Sequence, residues 1–240
     1  QYVVDIDGLD IHYVHVRGEG PNPRPLLLTH GWPGSHLEFW DLIGPLTRPS
    51  EHGGRTEDAF DLVIPSLPGY ALSGKPKQPI GQRATAAMWN TLMTRVLSYP
   101  RYLAQGGDWG GIVTSWIGLE HGDHAAGIHL NLTCFQPPLP LASEAEQAWG
   151  QAFGQAQARL GAYSALQRTK PQSLAWMAMN NPLGQAAWII ERFHDWSDLR
   201  QKSFEEVHNR DFLLTNALLY IMTDSFATAA WYYAGLVGDP

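Results

Sequence analysis

The residues best suited to chemistry form the segment Gly106-Gly107-Asp108-Trp109-Gly110. Its small-x-acid-x-small spacing is that of a nucleophile elbow, with Asp108 at the position that carries serine in enzymes acting on esters. The elbow residue adopts a strained turn, so Gly106 and Gly110 stand where side chains would not fit. The helix that follows would offer backbone N–H groups to negative charge. A turn former or helix N-cap at Asp108 is the alternative interpretation.

A second motif, His30-Gly31-Trp32-Pro33-Gly34-Ser35, directly follows a short apolar run. In architectures that contain a nucleophile elbow, this position supplies the other half of an oxyanion hole. The backbone N–H groups of Trp32 and Trp109 would then converge on one oxygen of a reaction intermediate. Each such donor contributes about 3 kcal/mol to catalysis. An ordinary Pro-Gly turn is the alternative interpretation of this segment.

The elements that must position the two motifs alternate between strand and helix. Asp7-Gly8 favours positive φ and separates two apolar stretches, which predicts an opening β-hairpin over residues 3–16. Short apolar runs predict buried strands at 25–29, 60–64, 102–105 and 128–132. Helical periodicity runs through 37–46, 88–96 and 112–119. This order predicts the α/β fold class, with a mostly parallel sheet and flanking helices.

The pattern changes after the proline-rich stretch 135–140, and no strand signal follows it. Helices are predicted at about 144–168, 172–180, 183–194, 203–208 and 211–234. Ser143 with Glu146 and Ser203 with Glu206 have the spacing of capping boxes. We therefore divide the chain into a core, residues 1–135, and a helical cap domain, residues 136–240. The cap is expected over the carboxyl ends of the strands, where open α/β sheets bind ligands.

Composition excludes several classes of function. The formal net charge is −7 and no basic run stands out, so a nucleic-acid partner is not expected. Cys134 is the only cysteine, which excludes an internal disulfide and a CxxC metal site. No apolar stretch approaches the roughly 20 residues of a membrane span, and we expect a cytoplasmic protein. No motif for a metal or an organic cofactor is present, and a homodimer is compatible with such a chain.

Taken together with Pro65–Tyr70, the two motifs resemble those of epoxide hydrolases of the α/β-hydrolase superfamily, in the microsomal-like branch. The resemblance implies an α/β-hydrolase sheet with an all-helical cap. It implies that Asp108 attacks an epoxide carbon and forms an alkyl-enzyme ester, and that Trp32 and Trp109 form the oxyanion hole. The bond Trp32-Pro33 is then expected to be cis, and His30 to be structural. The partners would be a small hydrophobic epoxide and water.

The resemblance also implies that the helical half carries the acids for ring opening. An epoxide oxygen becomes an alkoxide when the ring opens, so a neutral donor must meet it, and a phenol with a pKa near 10 is suitable. Tyr163 and Tyr233 fit the family pattern. Either of them could instead be a core tyrosine, and Tyr232 is the competitor of Tyr233.

Ester hydrolysis in this family needs a histidine and a carboxylate that follow the cap. The sequence ends at Gly238-Asp239-Pro240, and none of its ten histidines matches that position. Asn131 and Thr133 stand where related enzymes sometimes place an acid after the strand predicted at 128–132. We expect the sequence to be a fragment or one part of a longer polypeptide, without the C-terminal strands of the sheet. Such a chain would be alkylated at Asp108 without turning over.

Other functions remain as alternatives. A haloalkane dehalogenase also uses an aspartate followed by tryptophan, but the double glycine before Asp108 and the two tyrosines favour an epoxide. A non-catalytic protein that binds a ligand in the same pocket is a further alternative. A serine esterase is disfavoured, because Ser35 or Ser66 would have to act outside the elbow. The sequence leaves open which epoxide is used, with which selectivity, and whether the role is detoxification, catabolism or natural-product tailoring.

Overall fold

The computed structural model describes residues 1–133 and 139–238. Cys134 and the predicted domain boundary between residues 135 and 136 lie outside this part of the chain. The described residues form one sheet of six strands in the order β1-β2-β4-β3-β5-β6. The strands are β1 Tyr2–Ile6, β2 Leu9–Val16, β3 Arg24–Thr29, β4 Phe60–Pro65, β5 Tyr102–Gly106 and β6 Ala125–Leu130.

The sheet is mixed, with its antiparallel strands at one edge. β1 and β2 form the predicted hairpin, in which Asp7 and Gly8 both have positive φ, at 55° and 80°. β2 is antiparallel to β4, whereas β3 pairs in parallel with β4 and β5, and β5 with β6. β6 starts three residues earlier than predicted, because pairing with β5 includes Ala125–Gly127, whose small side chains give no strand signal. It ends at Leu130, two residues before the predicted end.

The helices largely follow the predicted pattern. They are α1 Ile43–Thr47, α2 Gln82–Thr91, α3 Trp109–Glu120, α4 Glu144–Leu160, α5 Ala162–Thr169, α6 Pro171–Ala178, α7 Pro182–Asp195, α8 Phe204–Val207, α9 Arg210–Met222 and α10 Phe226–Gly238. Both predicted capping boxes are present, at the starts of α4 and α8. None of these helices combines the length and apolarity that crossing a bilayer requires.

Four predicted helices are corrected by the structure. The stretch 144–168 is two helices, α4 and α5, which meet at Gly161. The pattern at 37–46 is a 3₁₀ helix, His36–Leu42, followed by α1. The pattern at 88–96 belongs to α2 and to a π-helical stretch, Leu92–Val96. The stretch 211–234 is two helices instead of one, because the chain breaks at Thr223–Ser225, where Asp224 has a φ of 52°. That conformation is incompatible with a continuing helix.

Both faces of the sheet are covered by apolar side chains. Leu27 of β3 belongs to a large buried cluster, and its neighbour Leu28 to a smaller one on the other face, as the two-residue period of a strand requires. The large cluster also contains Trp109 and, from α9 and α10, Tyr220 and Tyr233. The helical half therefore packs over the ends of β3 and β5, where the two sequence motifs begin.

Candidate active site

Asp108 lies between the last residue of β5 and the first residue of α3, in a strained conformation with φ 50° and ψ −126°. A Cβ atom on Gly106 would overlap the backbone of Gly110, and one on Gly110 would overlap the carbonyl of Thr29. A Cβ on Gly107 would only come within 3.3 Å of the Asn131 side chain. Gly106 and Gly110 are thus required by backbone contacts, as the sequence predicts, whereas Gly107 is not.

The loop after β3 holds the Asp108 carboxylate. The backbone N–H of Trp32 donates to Oδ1 of Asp108 at 2.9 Å, and the backbone N–H of Trp109 also bonds this carboxylate. Gly31 passes so close that a Cβ there would overlap the carboxylate. The Trp32-Pro33 peptide bond is cis, as expected from the family resemblance. Both amides predicted for an oxyanion hole therefore point at one carboxylate.

The His30 side chain stabilises this loop through two hydrogen bonds. Its side chain is buried, Nδ1–H donates to the carbonyl of Gly31 at 2.9 Å, and Nε2 accepts from the backbone N–H of Leu67 at 3.0 Å. Burial lowers the pKa of His30 to about 3, so the ring is neutral and both nitrogens are occupied. The side chain joins the loop after β3 to the loop after β4.

The charge of Asp108 is destabilised by its surroundings. Burial raises the pKa of the carboxyl group to about 6, and the hydrogen bonds from Trp32 and Trp109 limit the increase. A second carboxyl group, Glu38, lies on the other side of Gly31 and accepts from its N–H at 3.3 Å. The Glu38 side chain borders a cavity, and desolvation by the surrounding protein, with a smaller effect of the Asp108 charge, raises its pKa to about 8. Asp108 is therefore mainly ionised, and Glu38 mainly protonated, at neutral pH.

Tyr163 and Tyr233 lie together over the loop. The ring of Tyr163 stacks on that of Trp32, with centroids 5.2 Å apart and planes at 7°, and the Tyr233 ring stands edge-on to both Trp32 and Trp109. A side-chain hydrogen bond joins the two phenols. Burial raises the pKa of Tyr163 to about 12 and that of Tyr233 well above its usual value. Both phenols are thus neutral near Asp108, and a neutral phenol is able to donate a proton.

Tyr232, the competitor of Tyr233, is directed elsewhere. Its hydroxyl donates to Oγ1 of Thr85 in α2 at 2.9 Å. The neighbouring Tyr233 borders the cavity that contains Asp108, and Tyr232 does not. Adjacent residues on a helix point in directions about 100° apart, so only one of the two can face the carboxylate.

Two cavities meet at Asp108. The larger, about 890 Å³, lies beneath α4, α5 and α10 and is bordered by Asp108, Phe153, Tyr163 and Tyr233. The smaller, about 350 Å³, lies on the side of the Gly31–Gly34 loop and is bordered by Glu38, Arg192, Trp196 and His208, among others. The lining of the larger cavity is mostly apolar and aromatic, as in sites that bind uncharged organic ligands.

The sequence patterns did not reveal several residues around the loop. Asn216 Nδ2 donates to the carbonyl of Pro33 at 2.8 Å, and the hydroxyl of Tyr220 donates to that of Gly34 at 2.5 Å. Both side chains are buried and lie four residues apart on the same face of α9. Polar residues at that spacing in an otherwise apolar helix are the signal that could have found them. Glu38 and Arg192 carried no comparable signal.

No histidine of the described part of the chain hydrogen-bonds Asp108. His208 borders the smaller cavity, where its Nε2 bonds the hydroxyl of Ser197 at 2.7 Å. The serines considered for an esterase are also committed elsewhere. Ser35 caps the 3₁₀ helix by accepting from Leu37, and the buried Ser66 bonds the rings of two histidines, at 2.9 and 3.2 Å.

The fold agrees with comparisons with known proteins. The family model described as alpha/beta hydrolase fold matches residues 24–219. The chain belongs to the α/β-hydrolase fold family. A second family model, described as epoxide hydrolase N terminus, matches residues 1–39 of this α/β hydrolase. The predicted fold class is thereby confirmed.

The relatives of this α/β hydrolase carry epoxide hydrolase names. "Putative epoxide hydrolase" of Stigmatella aurantiaca (strain DW4/3-1) is 42% identical over 97% of this chain and 53% of that protein. Epoxide hydrolase 1 of Oryctolagus cuniculus is 32% identical over 98% of this chain and 57% of that protein. The α/β hydrolase thus spans a little over half the length of these relatives. The resemblance noted in the sequence is confirmed.

Solved structures agree. The juvenile hormone epoxide hydrolase of the silkworm Bombyx mori superposes with a TM-score of 0.83 at 30% identity, covering 97% of this chain and 60% of that chain. An enantioselective mutant of the Aspergillus niger epoxide hydrolase gives 0.82 at 29% identity, covering 100% of this chain and 60% of that chain. Because these superpositions cover 97% or more of this chain, the shared architecture includes the helical half.

Proposed function

We propose that this α/β hydrolase carries the nucleophile and the ring-opening acids of an epoxide hydrolase. The observation that supports it most is the single carboxylate, Asp108, held by two backbone amides at a strained turn and bordering one cavity with two neutral phenols. The names of its relatives point to the same reaction.

In the first step, Oδ2 of Asp108 attacks one carbon of the epoxide, and the bond between that carbon and the ring oxygen breaks. The electron pair of this bond goes to the oxygen, which takes a proton from Tyr163 or Tyr233. Oδ1 becomes the carbonyl oxygen of the ester and keeps its hydrogen bond from Trp32. The two amides then stabilise the negative charge that forms on this oxygen when the ester is attacked.

The two phenols favour an epoxide over an alkyl halide. Halide release needs no proton donor, whereas an epoxide oxygen must be protonated as it leaves carbon. Tyr163 and Tyr233 border the Asp108 cavity and are neutral at physiological pH, which is what such a donor requires. The aromatic and apolar cavity lining suits an uncharged, hydrophobic epoxide.

In the second step, water attacks the ester carbonyl carbon, Cγ of Asp108, and the bond from this carbon to Oδ2 breaks. Oδ2 takes a proton and leaves as one hydroxyl of the vicinal diol, and the water oxygen stays in the regenerated carboxylate. This step needs a base to accept a proton from water. No histidine of the described residues hydrogen-bonds Asp108, whereas every group proposed for the first step is among those residues. The first step is therefore the one that tests the proposal.

The experiment is alkylation of the full chain by styrene oxide, an uncharged aromatic epoxide. Intact-mass and peptide mass spectrometry should find one added epoxide, on the peptide that contains Asp108, either accumulating or as a transient that yields diol. Asp108→Asn should abolish the adduct. Asp123→Asn, which changes an exposed aspartate after α3, is the matched control and should leave the adduct unchanged.

Other outcomes contradict the proposal. Release of bromide from 2-phenylethyl bromide, without diol or adduct from styrene oxide, would indicate a dehalogenase. Saturable binding of styrene oxide without any added mass would indicate a non-catalytic binding protein. An adduct that survives Asp108→Asn would place the reactive group elsewhere.

A further inference from the structure

Arg192, in the last turn of α7, is a buried cation beside the proposed acid Tyr163. Only 7% of its side chain is exposed, although a buried guanidinium group carries a large desolvation cost. It pairs with Asp195 at 2.9 Å and with Glu191. By contrast, the side chain of Arg200 is 85% exposed in its pair with Asp198. A surface ion pair like that one avoids the desolvation cost, so the burial of Arg192 needs an explanation beyond its ion pairs.

The guanidinium group lies over the ring of Tyr163. Its central carbon is 5.4 Å from the ring centroid, and Trp196, four residues later, packs edge-on to the same ring at 5.2 Å. Tyr163 is also stacked on Trp32, whose backbone N–H bonds Asp108. The end of α7 therefore fixes Tyr163 against the loop that holds the nucleophile.

The two tyrosines are not equivalent in this setting. Their mutual hydrogen bond lowers the pKa of Tyr163 and raises that of Tyr233, as expected when Tyr233 is the donor. The charge of Arg192 also lowers the pKa of Tyr163, against the larger effects of burial and of Asp108. The phenolate that remains after proton transfer is thus stabilised at Tyr163 by a cation and a hydrogen bond.

We propose that Arg192 is a positioning residue that makes Tyr163 the proton donor in ring opening. It rests on the proposed function, since it concerns the step in which Asp108 is alkylated. The hydroxyl proton of Tyr163 goes to the epoxide oxygen as the electron pair of the broken carbon–oxygen bond arrives there. Arg192 stabilises the resulting phenolate, which regains a proton from solvent, and Tyr233 holds the phenolate oxygen.

The test measures the rate of Asp108 alkylation by styrene oxide in single-turnover mixtures, quenched and read by intact mass. Arg192→Met removes the charge, and Arg192→Gln does so while keeping a planar polar end group. Each should slow alkylation about tenfold, since a desolvated cation over an aromatic ring contributes roughly this much. Arg192→Lys should retain most of the rate. Arg200→Met is the matched control and should have no effect.

The decisive comparison combines these variants with changes of the tyrosines. In a Tyr163→Phe background, Arg192→Met should cause no further loss, because the group through which it acts has gone. In a Tyr233→Phe background, the tenfold loss should persist. Thermal unfolding followed by circular dichroism identifies any variant that no longer folds, and Arg192→Gln then replaces Arg192→Met.

Several results would overturn the role of Arg192 alone. These are an unchanged rate in both neutral variants, or an equal loss with Phe at position 163, which would mean that Arg192 acts on the fold or on Asp108. A loss that disappears in the Tyr233→Phe background would make Tyr233 the donor. If the unmodified chain forms no adduct at Asp108, the proposed function fails and this role fails with it.

Discussion

The most direct consequence of the proposed function is the pH dependence of Asp108 alkylation. Only the carboxylate can attack an epoxide carbon, and burial raises its pKa to about 6. With that value, about nine-tenths of the group is ionised at pH 7 and about one-tenth at pH 5. The alkylation rate by styrene oxide should therefore fall about tenfold between pH 7 and pH 5. An aspartate with an ordinary pKa near 3.9 would lose less than about a tenth of its rate.

The assay is single-turnover alkylation followed by intact mass at half-unit pH steps from 5 to 8. Circular dichroism at each pH confirms that the chain is folded. Glu38→Gln provides the control, because Glu38, with a pKa raised to about 8, is already protonated while Asp108 titrates. The midpoint near pH 6 should therefore stay in place in this variant.

A flat profile between pH 5 and 8 would refute the argument, since it would mean that burial does not penalise the charge of Asp108. A midpoint that moves toward pH 4 in Glu38→Gln would instead mean that Glu38 is ionised and is the main cause of the raised pKa. Both outcomes contradict the order of the effects found at Asp108, in which burial is the largest.

Three further predictions concern stability. Because the raised pKa of Asp108 means that its charge opposes folding, Asp108→Asn should stabilise the fold at pH 7 by up to about 3 kcal/mol and lose this advantage below about pH 4, as measured by urea unfolding. Gly110→Ala should lower the melting temperature sharply or prevent folding, because its Cβ would overlap backbone, whereas Gly154→Ala, in open space within α4, should raise stability by up to about 1 kcal/mol. Burial lowers the pKa values of His12 and His36 to about 4, so their contribution to the free energy of unfolding is complete above about pH 6.5. It is lost as the pH falls toward 4, by up to about 3 kcal/mol each. Urea unfolding midpoints that do not change over this pH interval would contradict this prediction.

Asp108 and the glycines beside it could be predicted from sequence because each belongs to a local pattern. Asp108 follows a strand and precedes a helix within a few residues, and Gly106 and Gly110 are required by backbone contacts that any elbow makes. The hairpin at Asp7-Gly8 and the two capping boxes are equally local. Such features depend on interactions between residues near one another in the chain, which a sequence shows directly.

The choice between Tyr232 and Tyr233 depends on a distant contact. Both residues are buried, and both fit the apolar pattern of α10. Oγ1 of Thr85 in α2 accepts a hydrogen bond from the hydroxyl of Tyr232, and Tyr233 is the one that faces Asp108. The partner lies 147 residues earlier, so no periodicity in the helix itself contains this information. The break between α9 and α10 was missed for a different reason, since no Gly or Pro interrupts the apolar pattern around Asp224.

Contacts between residues distant in the sequence also explain why the helical half shapes the candidate site in addition to covering it. The loop that offers the Trp32 amide has its carbonyls at Pro33 and Gly34 held by Asn216 and Tyr220, more than 180 residues later. A buried carbonyl without a partner costs about 1–3 kcal/mol, so these two bonds favour the one loop conformation that they fit. Packing of the helical half on this loop therefore orders both the Trp32 amide that bonds Asp108 and the Tyr163 phenol that stacks on Trp32. Truncation of the helical half should then remove the proposed acids and also loosen the proposed oxyanion hole.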